Sequence, residues 1–242
     1  AYCGRHKSFY YKRKTKEYSY KTMKSKVISL FAIGAIPFSA FADHHGGKKP
    51  LALEFPPPFL IGTPVQVNLP HLEAPGTPAP VIMVPGNVAN LSEGKEVTSS
   101  DDFPIIGGLD YVTDGDKESE EGYFVELAPG TQWIQIDLES SATIYGVGIW
   151  HFHTQKRAYH DVIVQISDDE SFESGVETVF NNDHDNSSGF GEGDDKAYLE
   201  SNEGKLVDAK ESKGRYGRIY GAGNTSNEMN HFVEVEVFGV AN

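Results

Sequence analysis

The chemically able side chains of this 242-residue sequence collect in one stretch, Trp150-His-Phe-His153, Lys156-Arg157 and Tyr159-His160, with a second group running from Asn224 to His231. A sugar site needs a flat apolar surface for one face of a pyranose and planar donors and acceptors for its hydroxyls. Trp150, His151, His153, Arg157, Tyr159 and His231 supply those groups and are the candidate ligand-binding residues. A His-x-His pair on a strand also turns two imidazoles to one side, a spacing used by zinc sites, with His160 or His231 available as third ligand. The sequence has no Gly-x-Ser-x-Gly elbow, His-Glu-x-x-His helix or phosphate loop, so no catalytic motif accompanies these groups. Its many carboxylates do not by themselves define a glycosidase pair, because a charge-rich surface usually serves solubility.

Two strands must position this cluster. In Thr131–Leu138, Ile134, Ile136 and Leu138 alternate with Trp133, Gln135 and Asp137, the period of two of a half-buried strand. Ile144–His153 follows and ends in the Trp and His residues. The same alternation places His151 and His153 on the face of Val147 and Ile149, pointing inward unless the strand ends or bulges near Trp150. Val162, Val164 and Ile166 form another stripe, as do Val233, Val235 and Val237, and no segment has a long helical period. Short alternating runs separated by Gly, Asp, Asn and Ser predict an all-β fold, an antiparallel jelly roll or sandwich, over residues 88–242.

Charge restricts the partners. Nine of the 21 basic residues but only Glu17 of the 35 acids precede residue 43, which leaves a net charge of −22 on residues 43–242. Phosphate binding is mainly counterion release by Lys and Arg, so nucleic acid is excluded as a partner. Cations, neutral ligands and basic partners fit such a surface, as does a secreted, periplasmic or cell-surface location.

Residues 1–22 are basic and Tyr-rich and read as upstream translated sequence ahead of a start at Met23; the rival reading is a basic tail ahead of an uncleaved anchor. Residues 23–42 have the order of a secretory signal peptide: Met23-Lys-Ser-Lys26, the apolar run 27–38, and Ala40-Phe-Ala42, with cleavage predicted after Ala42. The apolar run is too short to span a bilayer, so no stable membrane span is expected after cleavage. The single cysteine, Cys3, lies in the part removed, leaving a mature chain without disulfides. A new amino terminus at Asp43 would place His45 third, a spacing that chelates Cu(II) or Ni(II). Residues 43–49 read as a flexible tail, and residues 50–86, with ten of the 13 prolines, as an extended linker or strap.

The segments Asn90–Ser100, Thr113-Asp-Gly-Asp116, Gln132–Leu138, Ile144–Ile149, Val164–Asp169, Gly214–Tyr220 and Val233–Gly239 follow one another in an order that resembles the discoidin, or coagulation-factor type C, domain. That family shares its galactose-binding-like jelly roll with many bacterial carbohydrate-binding modules, and the resemblance covers roughly residues 88–240. It implies one structural Ca²⁺ held by Asp114, Asp116, Ser119 and Glu234, with carbonyls of Val112 and Val233 completing the shell. Ser119 stands where the family more often has threonine. Calcium takes six to eight hard oxygen donors, which matches this set; the alternative is an Asp-Gly turn without an ion. In the acidic loop 181–196, Asp183, Asp185 and Ser187 imitate the odd-position oxygens of a calcium loop, but the glycine, Gly189, comes one place later than an EF-hand needs.

The resulting expectation is a secreted, non-catalytic module that recognises an extracellular glycan or glycoprotein through loops at one end of the sandwich. An adhesion or matrix protein docking another protein, and a metal-dependent hydrolase, are the alternatives.

Overall fold

The computed structural model describes residues 47–63 and 65–242. The segment read as a signal peptide, the stretch before it, Cys3 and His45 lie outside the described residues. Among the described residues eleven strands follow in chain order: β1 Lys49–Pro50, β2 Met83–Val84, β3 Ala89–Asn90, β4 Val97–Ser99, β5 Val125–Leu127, β6 Gln132–Trp150, β7 Ile163–Ser167, β8 Glu177–Asn181, β9 Lys205–Gly221, β10 Asn230–Phe232 and β11 Glu234–Ala241. Among the described residues one 3₁₀ turn, Leu109–Thr113, interrupts them.

Seven strands form one antiparallel sheet in the order β3-β11-β6-β9-β7-β8, with β4 also paired to β6. The two long strands bend. The β6–β9 register shifts between Asp137 and Ala142, and Glu139, Lys210 and Glu211 take positive φ at the bends. One half of the sheet thereby folds over the other. Residues 132–137 of β6 pair with β4 and the second half of β9, while residues 142–150 pair with β11 and the first half of β9. The result is the jelly-roll sandwich expected from the alternation.

The core sits between the layers. Ile134, Ile136, Ile219, Val164 and Ile166 from one layer meet Ile144, Val147, Ile149, Val207, Val235 and Val237 from the other, all buried. Each such side chain contributes roughly 1.5–3 kcal/mol by leaving water. A bulge between Ile144 and Gly146 explains why Ile144 and Val147, three apart, both point inward.

The proline-rich segment lies along the outer face of the second layer. Its two ends pair as β1 and β2, and the Leu51 N–H donates to the Ile82 carbonyl at 2.8 Å. Leu51 and Leu53 pack with Ile82, Val84, Leu206 and Tyr145. Gly146 provides the room: a Cβ there would stand 2.9 Å from Leu51 Cδ2 and 3.2 Å from Ile82 Cδ1. Farther along, Asn202 Nδ2 donates to the Pro56 carbonyl at 2.9 Å, Ile61 N–H to the Thr154 carbonyl at 2.6 Å, and Glu73 N–H to the Ala197 carbonyl at 2.8 Å. Glu73 also pairs with Lys205. Proline has no N–H to give a ladder, so strand pairing is confined to the two-residue β1, with its Pro50, and its partner β2, and the rest of the segment lies across the sheet.

Candidate functional site

The six candidate ligand residues are all buried, between 0% and 4% exposed. Trp150, with 0% of its surface exposed, ends β6 on the outward parity but is covered by Leu53 and packs on Phe124, Phe152 and Val233; its Nε1–H donates to the Asn202 carbonyl at 3.0 Å. His151 keeps the inward parity of Val147 and Ile149. Its Nδ1 meets Glu200 Oε1 at 2.7 Å, and its ring stacks on Tyr159 with centroids 4.3 Å apart. His153 turns elsewhere, Nε2–H donating to the Lys117 carbonyl at 2.9 Å. The Arg157 guanidinium lies 4.7 Å over the Phe152 ring and donates to Gln155 Oε1 at 2.7 Å.

Tyr159 and His231 complete this buried network. The Tyr159 hydroxyl donates to His231 Nδ1 at 2.8 Å, which leaves Nε2–H to donate to Glu126 Oε2 at 2.9 Å. Burial, aided by the charges of Arg157 and His151, pushes the His231 imidazole down to about 3, so the ring is neutral. Burial also raises the Tyr159 phenol well above its ordinary value. His151, His153 and His231 thus face different partners and do not converge as a zinc site.

The residues implied for calcium lie where the 3₁₀ turn meets the start of β11. Glu234 is wholly buried; its Oε2 accepts the Gly115 N–H at 3.1 Å, and its Oε1 has no hydrogen-bond partner. Burial first, then the charges of Glu236 and Asp114, push this carboxyl up to about 9. Asp116 N–H donates to Asp114 Oδ1 and Glu118 N–H to Asp116 Oδ1, both at 2.9 Å, so the turn is tied by its own carboxylates. Ser119 Oγ accepts the His153 N–H at 3.1 Å. A buried carboxylate oxygen without a donor, beside a second carboxylate, is the environment a hard dication relieves. The residues present fit that ion.

A cleft of about 430 Å³ lies beside the buried network. The proline-rich segment contributes Leu69, Pro70 and His71, the entry to β7 contributes Tyr159, His160 and Asp161, and the loop after β8 contributes Asn182, His184 and Asp185. The rings of His71 and His184 lie 4.0 Å apart at 31°. Asn182 is only 6% exposed; its Oδ1 accepts the Val162 N–H at 2.7 Å, while Nδ2 has no partner. His184 Nε2 is likewise buried and unpartnered.

Asp161, Asp183 and Asp185 bring one oxygen each to within 4.8 Å of one another. Ser187 Oγ donates to Asp161 Oδ2 at 3.0 Å, and Asp183 accepts the N–H groups of Ser187 and Ser188 at 3.1 and 2.8 Å. Burial raises the Asp161 carboxyl, and the charges of Asp183 and Asp185 add to the rise against the Ser187 hydroxyl. His71 and Asp161, both facing the cleft, hold φ of 60° and 52°, a conformation costly for residues with a Cβ. Sequence reasoning found Asp183 and Asp185 in the acidic loop. It missed Asp161, Asn182 and His71, whose common signal exists only in space.

A larger cleft of about 600 Å³ lies between the segment 73–80 and residues 198–206, but its charged Glu73 and Lys205 pair with each other.

No protein-family model matches the chain, and no curated protein matches it in sequence. Among solved structures it is similar to a Streptococcus pneumoniae fucose binding module, at 22% identity and a TM-score of 0.45 over 62% of this chain and 94% of that one. It is similar also to chitosan-binding module 1 of a Paenibacillus chitosanase/glucanase, at 20% identity and 0.40 over 62% and 99%. A truncated AlyQ with CBM32 and alginate lyase domains matches at 19% and 0.46 over 64% of this chain; the match spans 34% of that protein. At these values the architecture rests on the strand pairing described above.

Proposed function

We propose that this chain is a secreted, non-catalytic module that binds an extracellular carbohydrate in the cleft lined by His71, Asp161 and His184, and that one calcium ion staples its fold. The observation that carries the proposal is Asn182 Nδ2. It is a buried amide donor without a partner, on a residue that lines the cleft together with Asp161 and Asp185. Sugars meet such surfaces with hydroxyls that both donate and accept, and the paired imidazoles of His71 and His184 give a ring something flat to rest on. The binding role moves from the strand-end cluster to the cleft. Of the six candidates, only Tyr159 lines it.

Calcium would be held by Glu234 and Asp114, with Asp116, Ser119 and the carbonyls of Val112 and Val233 as further oxygens. Its chemistry there is electrostatic: it replaces the missing donor at Glu234 Oε1 and ties the start of β11 to the turn after Thr113.

A glycan array probed with the protein and with His71→Ala tests the assignment. The expected result is selective binding by the wild type and a loss of about tenfold or more in the variant. Failure on neutral, acidic and amino polysaccharides alike would overturn it in favour of a protein partner. That second reading is supported by Phe59, Leu60 and Ile61 on the proline-rich segment, which are 61%, 55% and 46% exposed.

A further inference from the structure

We infer that the cleft selects a saccharide carrying a protonated amine beside its hydroxyls; the inference rests on the cleft being the glycan site proposed above. Three carboxylates with oxygens within 4.8 Å of one another repel, and among the described residues no Lys or Arg forms an ion pair with Asp161, Asp183 or Asp185. Their visible donors are neutral: the Ser187 hydroxyl and the backbone of Ser187 and Ser188. A positive group in the cleft is therefore favoured.

The second requirement comes from Asn182. Asn182 lines the same cleft, and its buried Nδ2 needs an acceptor, which a bare cation does not provide. A neutral sugar would satisfy the amide but leave the carboxylates uncompensated. An acidic sugar would add to their repulsion. A ring bearing an ammonium group next to hydroxyls meets both needs, with the ammonium toward Asp161 and Asp185, a hydroxyl oxygen accepting from Asn182, and the ring against His71 and His184.

Titration calorimetry of the protein with β-1,4-linked glucosamine oligomers, the matching N-acetylglucosamine oligomers and calcium alone tests this. The glucosamine oligomer is expected to bind about ten- to a hundredfold more tightly than the acetylated one, the difference one charge-assisted hydrogen bond makes. Asp161→Asn or Asp185→Asn should erase that preference while leaving weak binding of both oligomers. Equal affinity of the wild type for the two oligomers overturns the inference and leaves the glycan reading standing. No binding of any saccharide overturns both. Calcium binding that survives Glu234→Gln but disappears in Asp161→Asn identifies a metal in place of the amine, and also overturns it.

Discussion

His71 and His184 lie with ring centroids 4.0 Å apart although one belongs to the proline-rich segment and the other to the acidic loop after β8. One wall of the cleft therefore exists only while that segment is docked on the sandwich. Docking in turn depends on Gly146, whose missing side chain makes room for Leu51 and Ile82.

Gly146→Val is expected to lift the segment without dissolving the sandwich. Overpacking of this kind costs about 1–3 kcal/mol. Limited proteolysis should cut the variant between residues 51 and 84 faster than the wild type, and its glycan affinity should fall to that of His71→Ala. Unchanged cleavage and affinity would show that the cleft does not need the segment.

Calcium is expected to raise the melting temperature. At a hundred times its dissociation constant an ion bound only by the folded state adds about 2.7 kcal/mol, or roughly 5–10 °C for a domain of this size. Glu234→Gln should remove the response, since it replaces the carboxyl group whose Oε1 lacks a partner by one that cannot ionise. Differential scanning calorimetry with calcium and with chelator reads this directly, and a calcium response retained in the variant would count against the assignment.

The His231 imidazole provides a pH test. Its folded value is about 3 against an ordinary 6.5, so between these values the unfolded chain holds a proton that the folded chain does not. The contribution of His231 is fully present above pH 6.5 and is lost as pH falls toward 3. Denaturant midpoints should decline over that window, and His231→Gln should flatten the decline. Tyr159→Phe, which removes the donor to Nδ1, is expected to cost about 1 kcal/mol.

Trp150→Phe is expected to behave as a core substitution. It removes the hydrogen bond from Nε1 to the Asn202 carbonyl and some packing against Phe124 and Val233. A loss of about 1–3 kcal/mol in stability with glycan affinity within twofold of the wild type should result, measured by chemical denaturation and calorimetry. A stable variant that has lost binding would restore Trp150 as a sugar platform.

The fold was legible because Ile134, Ile136 and Leu138, and then Val147 and Ile149, repeat with the period of the pleat. Parity also aims His151 inward, and it is buried there against Tyr159. What alternation could not supply was the covering of Trp150, because Leu53 comes from a segment about a hundred residues earlier. The cleft was less legible still. Asp183 and Asp185 stand out in an acidic loop, but Asp161 precedes β7 and His71 belongs to the proline-rich segment, and no local pattern links the three places. Asn182 reads as one polar loop residue among many until its Oδ1 is committed to Val162 and its Nδ2 is left over.

That leftover amide gives the most direct measurement. Side-chain resonances followed by NMR during titration with an oligosaccharide that binds should show saturable shifts of the Asn182 amide and of the His71 and His184 imidazoles, with the Trp150 indole N–H unmoved. Saturable shifts at Trp150 and His151 with a silent Asn182 would contradict the assignment of the cleft as the site.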